Sequence, residues 1–218
     1  MFNQDYKLFT SILVKVLDLI LPDIIQLDQT GFIRQRETHD NIRRTLHVIN
    51  HINKYTLEVV LLGLDAEKAF DSVDWSFLYK TLERFHFHDD FVKIIKALYC
   101  KPTANIRIKG GLSNNFELEK GCRQGCPVSP LLFAIFIEPL SQWIRQNEKI
   151  KGITVSQEEH KIAPFTDDIL IYLGHPSTSL PELLITLQEY GLLSSYKLNT
   201  HKYQILTSNY SPSQPIRE

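Results

Sequence analysis

The chain has 218 residues, 43% of them hydrophobic and 22% charged, which is the balance of one globular domain or one large piece of a bigger one and excludes disorder as the default. Its 24 Lys+Arg stand against 25 Asp+Glu, for a formal net charge of -1. A protein that grips nucleic acid through phosphates usually carries a basic surplus, so the balance weighs against that class unless several acids are gathered in a metal site. Cys100, Cys122 and Cys126 are too few and too unevenly placed for a disulfide framework and suit a reducing intracellular compartment.

Phe9, Ile12, Leu13, Val16, Leu17 and Ile20 recur at helical spacing and stop before Pro22, which predicts a helix with one buried face. Lys15 and Asp18 interrupt this stretch, and it falls short of the roughly 18 apolar residues of a membrane span, so no membrane partner is expected. A second helix follows Thr38-His39-Asp40, with Asp40 or Thr38 capping its start and Ile42, Leu46, Ile49 and Ile52 as its buried stripe. Leu57 to Leu64 is a nearly continuous apolar run, as for a strand buried on both faces, and it ends at Asp65.

Trp75 to Phe85 and Phe91 to Tyr99 carry helical periodicity, and Asn105 to Leu118 reads as two short strands around Gly110-Gly111. Pro127 and Pro130 open a long apolar helix that Pro139 is expected to kink. His160 to Phe165 and Ile169 to Leu173 flank Thr166-Asp167-Asp168 as strands, and a helix from Leu180 to Leu193 and a strand near Tyr203 to Thr207 complete the chain. The order predicts an α+β fold, a sheet backed by helices on one side.

Two places set acids at the end of an apolar strand: Asp65, and Asp167-Asp168. A carboxylate beside a buried strand loses hydration, and a divalent cation held by oxygens offsets that loss most simply. If the two strands are neighbours, Asp65 and Asp167 or Asp168 converge on one site, a geometry suited to two metal ions in an in-line phosphoryl transfer. An isolated Asp-Asp is more often a solvated turn. The company it keeps is more specific: Asp65-Ala66-Glu67-Lys68-Ala69-Phe70-Asp71, then Gly121-Cys122-Arg123-Gln124-Gly125-Cys126-Pro127, then Phe165-Thr166-Asp167-Asp168.

Together with Asp28-Gln29-Thr30-Gly31-Phe32-Ile33, Glu138-Pro139-Leu140 and Tyr196-Lys197-Leu198-Asn199 with Lys202, these motifs make the chain resemble the reverse transcriptases of LINE-type (non-LTR) retrotransposons from about Asp5 to Thr207. The resemblance implies a right-hand polymerase palm: partial fingers over about 1–56, mostly palm over about 57–210 with a fingers-like hairpin near 103–118, and a tail at 211–218. It implies RNA-directed DNA polymerase activity on an RNA template, a DNA primer and deoxynucleoside triphosphates, with two Mg²⁺ or Mn²⁺ ions. Asp65, Asp167 and Asp168 would be the catalytic, metal-binding acids. Ala66, Phe70, Gln124, Gly125 and Lys202 would meet the nucleotide, Phe70 excluding a 2′-hydroxyl, although Phe70 also suits a core position. Arg34, Arg36 and Arg123 would meet template or primer, with Arg43, Arg107 and Lys109 as further contacts.

The chain opens inside the expected fingers and no thumb is recognised, so flanking segments are expected in a full-length element. The family's setting is cytoplasm and nucleus. Gln35 and Ser195 stand where the family usually has glycine, and Thr166 where it has alanine; if those positions need φ > 0, each costs roughly 1 kcal/mol or more. A catalytically silent remnant that folds and binds nucleic acid is therefore the alternative reading. Zinc is not supported, since Cys122 and Cys126 lack a second ligand pair. Gly110-Gly111 lacks the lysine of a phosphate-binding loop.

Overall fold

A computed structural model of the chain describes residues 4–108, 110–199 and 202–211; Lys109 and nearly all of the expected tail lie outside them. Helices α1 (Gln4–Ile24) and α2 (Thr38–Tyr55) precede strand β1 (Val59–Leu64), a 3-10 turn at Ala69–Ser72, and helices α3 (Trp75–Arg84) and α4 (Asp89–Leu98). Four two-residue strands follow, β2 (Thr103–Ala104), β3 (Arg107–Ile108), β4 (Gly111–Leu112) and β5 (Phe116–Glu117), then helix α5 (Ser129–Gln146). Strands β6 (Ile153–Val155), β7 (Glu158–His160), β8 (Ile162–Phe165) and β9 (Asp168–Gly174), helix α6 (Pro176–Ser194) and strand β10 (Gln204–Ser208) complete the order.

The central sheet is antiparallel with order β10-β1-β9-β8. Alternation along the strands sends Val60, Leu62, Leu64, Ile171 and Leu173 to the face covered by the large helical core, in which Phe133 and Phe136 of α5, Leu78 and Leu82 of α3, Leu183 and Tyr190 of α6 and Leu13 and Leu17 of α1 are buried. It sends Val59, Leu61 and Tyr172 to the other face, where Val48 and Ile52 of α2 and Ile153 and Val155 of the β6–β7 hairpin cover them. The sheet is thus clad on both faces at one end, whereas the expectation was helices on one side. Helix α5 is apolar around nearly its whole circumference because it lies inside the core.

Helix α1 runs through Pro22 instead of stopping before it. Proline sits in the last turn, where only one internal bond is lost, and Arg36 collects the carbonyls left over there. Its Nη2 donates to Pro22 O at 2.9 Å and Ile25 O at 2.7 Å, and its Nη1 to Gln26 O at 2.5 Å and Gln29 O at 2.8 Å. A guanidinium satisfies carbonyls that would otherwise be orphaned at a helix end. This corrects the expectation that Arg36 meets template: its fork is turned into the protein.

The α2 stripe also differs from expectation. Asn41, Val48 and Ile52 are the buried positions, while Ile42 and Leu46 are about half exposed. Asp40 acts at the helix start by accepting Glu37 N at 3.0 Å, reaching back from inside the first turn. Among the described residues no helix is long and apolar enough to cross a membrane.

Helix α6 closes on Ser195, which sits in the left-handed region at φ 60, ψ 11. A side chain costs about 1 kcal/mol there relative to glycine. Ser195→Gly is expected to stabilise the fold by up to about 1 kcal/mol, read as a higher urea midpoint at unchanged slope; an unchanged or lower midpoint would show that the cap is not strained.

Candidate active site

The register of β1 against β9 pairs Leu64 with Ile169, and β8 with β9 pairs Phe165 with Asp168 around the Thr166-Asp167 turn. Asp65, the residue after β1, and Asp168, the first of β9, therefore reach the same end of the sheet. The three acids feel one another. The Asp168 carboxyl is raised above the usual aspartate range by partial desolvation first, then by the charges of Asp167 and Asp65, with the Lys202 ammonium opposing. The buried phenol of Tyr196 is raised by burial and, next, by the same carboxylates.

Asp65 is held by two side chains. Its Oδ2 receives the Lys202 ammonium at 3.1 Å and Asn199 Nδ2 at 3.2 Å. The backbone adds Asn199 N to Asp65 O at 2.9 Å and Glu67 N to Lys197 O at 2.8 Å, around a bridge between Ala66 and Leu198. The segment after α6 is thereby laid against the first acid. Asn199 was part of a recognised motif, but its bond to Asp65 spans 134 positions and left no local signal.

Phe70 is half-buried on the 3-10 turn and stacks on Phe133, with ring centroids 4.7 Å apart. The Gly121–Pro127 turn docks beside it through Cys122 N to Phe70 O at 2.6 Å and Gly121 N to Val73 O at 2.8 Å. Gly121 is at φ +99, and a Cβ there would lie 2.9 Å from Asp71 O, so both the torsion and the close approach require glycine. Gln124 and Gly125 are exposed at the tip of this turn. Arg123 lies over the Tyr6 ring at 5.4 Å, and Tyr6 Oη meets Cys126 Sγ at 3.4 Å, so α1 steadies the turn. Arg34 is exposed on the α1–α2 loop.

A cleft of about 850 Å³ opens between α2 and the sheet and reaches Asp65, Asp168 and Lys202. Ile42 and Leu46 line it, which explains why half of the expected α2 stripe is uncovered. Among the described residues, no group of three or more His, Cys, Asp or Glu side chains is arranged to hold a metal ion as it stands, and Lys202 lies on Asp65. The donor chemistry nevertheless fits: the Asp168 carboxylate, lifted first by partial desolvation and then by its two acidic neighbours, suits a hard divalent cation, which neutralises the gathered negative charge.

A family model described as reverse transcriptase (RNA-dependent DNA polymerase) matches residues 1–216. The chain belongs to the reverse transcriptase family. It is 26% identical over 204 residues to the transposon TX1 uncharacterized 149 kDa protein of Xenopus laevis, covering 93% of this chain and 15% of that protein. It is 27% identical over 207 residues to the Pol polyprotein of the type-2 retrotransposable element R2DM of Drosophila melanogaster, covering 91% of this chain and 19% of that one. These relatives agree with the LINE-type resemblance carried by the motifs, and the chain spans less than a fifth of each. In fold it is similar to apo telomerase from Candida tropicalis, with TM-score 0.66 at 12% identity over 96% of this chain and 42% of that one. Telomerase from Candida albicans, solved with a fragment of telomeric RNA, gives TM-score 0.66 at 11% identity, over 92% and 34% of the two chains.

The three positions at which this reverse transcriptase departs from the family's small residues share one torsion: Gln35, Thr166 and Ser195 have φ 66, 59 and 60. Thr166 is the most strained of them, being β-branched.

The raised Asp168 carboxyl fixes the sign of a pH effect. A group whose folded pKa exceeds its unfolded one favours the fold below the unfolded value, and that contribution is lost as pH rises through the folded value. Asp168→Asn should therefore raise the melting temperature at pH 7, with the difference shrinking as pH falls through the aspartate range. Mg²⁺ or Mn²⁺ should raise the melting temperature of the wild type more than that of the variant. Equal melting curves at pH 7 with and without metal would remove the repulsion argument.

Proposed function

We propose that the chain is the polymerase core of a LINE-type element, an RNA-directed DNA polymerase that extends a DNA primer on an RNA template. The observation that carries this reading is the meeting of Asp65 with the Asp167-Asp168 turn at one sheet end, through the Leu64 to Ile169 register. Residues of about 1–56 would be part of the fingers and about 57–210 mostly palm, with the small β2–β5 hairpin reaching toward the fingers. The telomerase of similar fold that was solved with RNA supports an RNA partner, and the family's setting supports work in cytoplasm and nucleus.

Asp65, Asp167 and Asp168 would hold two Mg²⁺ or Mn²⁺ ions, which when bound supply charge neutralisation for the leaving pyrophosphate and lower the pKa of the attacking 3′-hydroxyl. The remaining residues position the substrates. Phe70, backed by Phe133, would lie beneath the sugar and exclude a 2′-hydroxyl, above a floor that includes Ala66. Gln124 and Gly125 would rest against the nascent base pair, and Arg34 and Arg123 near template or primer phosphates. Lys202 would leave Asp65 for the triphosphate, since both are anionic.

A second reading, a copy that folds without turnover, is favoured by the strained Thr166 beside the acids. Primer extension on an RNA template with Mg²⁺ separates the two, using the chain alone and a version extended with flanking polymerase segments. Asp65→Asn should lower extension by several orders of magnitude, because a neutral amide cannot neutralise the ions; wild-type extension by that variant would sink the reading. In an active version, Phe70→Ala should raise ribonucleotide use relative to deoxynucleotide use by about 10-fold or more. An unchanged ratio in a folded variant would return Phe70 to core packing.

A further inference from the structure

The loop between α1 and α2 supplies no acid to the proposed chemistry, yet it backs directly onto the acid turn. Gly31 is buried, and a Cβ there would lie 2.5 Å from Thr166 N and 2.7 Å from Thr166 Oγ1. Thr30 N donates to Pro164 O at 3.4 Å, and Asn41 Nδ2 to the same carbonyl at 3.0 Å. Gln29, fully buried, shapes the loop by accepting Gly31 N on its Oε1 at 2.9 Å. Thr166 sits at φ 59, a torsion that a β-branched residue does not hold by its own preference. Something outside the turn must hold it.

The loop is in turn tied to the core helix α5. Arg145 Nε donates to Asp28 Oδ2 at 2.7 Å and Nη2 to Asp28 Oδ1 at 2.5 Å, a bidentate pair. Its Nη1 donates to Glu138 Oε1 at 2.9 Å, two turns back on the same helix, and the Glu138 side chain has no exposure. One guanidinium thus holds two carboxylates with three N–H groups, a geometry that lysine cannot reproduce. Arg36 carries a second guanidinium within range of both acids, with Arg44 close enough to act on it in turn. Burying so many charges is poor value as stability alone, because apolar packing of equal volume serves as well. What it fixes is the location of Asp28, three residues from Gly31.

We propose that Arg145, Asp28 and Glu138 form a positioning group for the polymerase site: the fork fixes the 28–31 loop, Gly31 supports Thr166 from behind, and the strained turn presents Asp167 and Asp168 to Asp65. The consequence for metal binding rests on the polymerase reading, whereas the mechanical link does not. The carboxylates and guanidiniums touch no substrate in this scheme and act only through the turn.

The test compares Arg145→Lys, which keeps the charge and loses the fork, and Gly31→Ala, which pushes on the turn directly, with Tyr190→Phe as control. Tyr190 donates its hydroxyl to Phe136 O at 2.6 Å on the helical side of the sheet, so this control weakens the same core without touching the loop. In the full chain, amide hydrogen exchange of 165–168 should quicken about 10-fold in both loop variants and stay at the wild-type rate in the control. The Mn²⁺ dissociation constant, read by the free-ion electron spin resonance signal, should rise about 5-fold in the same two variants only. Arg145→Lys and Gly31→Ala proteins that lose melting temperature as the control does, with exchange at 165–168 unchanged, would overturn the proposal. Absence of Mn²⁺ binding by the wild type would overturn the polymerase reading instead, and the exchange comparison would still decide the positioning group.

Discussion

The pairing of β1 with β9, in the register that sets Leu64 opposite Ile169, is the constraint on which everything else depends. A slip of one residue would turn Val60, Leu62 and Leu64 away from the helical core and bring Val59 and Leu61 into it. The register therefore rests on which of these apolar side chains fits which of the two cores. The carboxylates inherit their proximity from hydrophobic alternation along two strands, although they repel one another. Chemistry at the sheet end is in this sense a by-product of packing in its middle.

Charge is distributed with the same economy. Arg36 and Arg145 contribute to the near-balanced total of the sequence, yet both are turned inward, one onto carbonyls at the end of α1 and the other onto Asp28 and Glu138. Lys202 lies on Asp65. Arg36 and Arg145, which a count would offer for phosphate contact, thus have their partners inside the protein.

Much of this was legible in the chain. The apolar run before Asp65, the glycine-bounded turn before α5 and the Thr166-Asp167-Asp168 turn each reported local geometry, and the continuity of that run told that β1 is buried on both faces. The departures at Gln35 and Ser195 marked two left-handed torsions, because a missing glycine is itself a backbone signal; Thr166, where the family has alanine, carried no such mark. Other features were not legible for physical reasons. Two-residue strands in the 103–118 hairpin, and the three-residue strands β6 and β7, are too short for a period to be read. Ile42 and Leu46 fit a buried stripe by spacing, but the cleft beside them leaves them open. Arg36 looked like a surface cation because nothing near it in sequence reveals the carbonyls it caps. The Asp28–Arg145 pair spans 117 positions, a distance at which no pattern survives.

The acids sit at the rim of the sheet, outside the core, and their repulsion works against the fold that brings them together. Genetic drift in such a gene is therefore biased. A mutation that neutralises Asp168 removes a repulsion while leaving every buried layer intact, so the altered protein escapes the quality control that clears unfolded chains. Lineages of this domain should accumulate well-folded, inert copies faster than unfolded ones. Those copies keep the strand register and the cleft between α2 and the sheet.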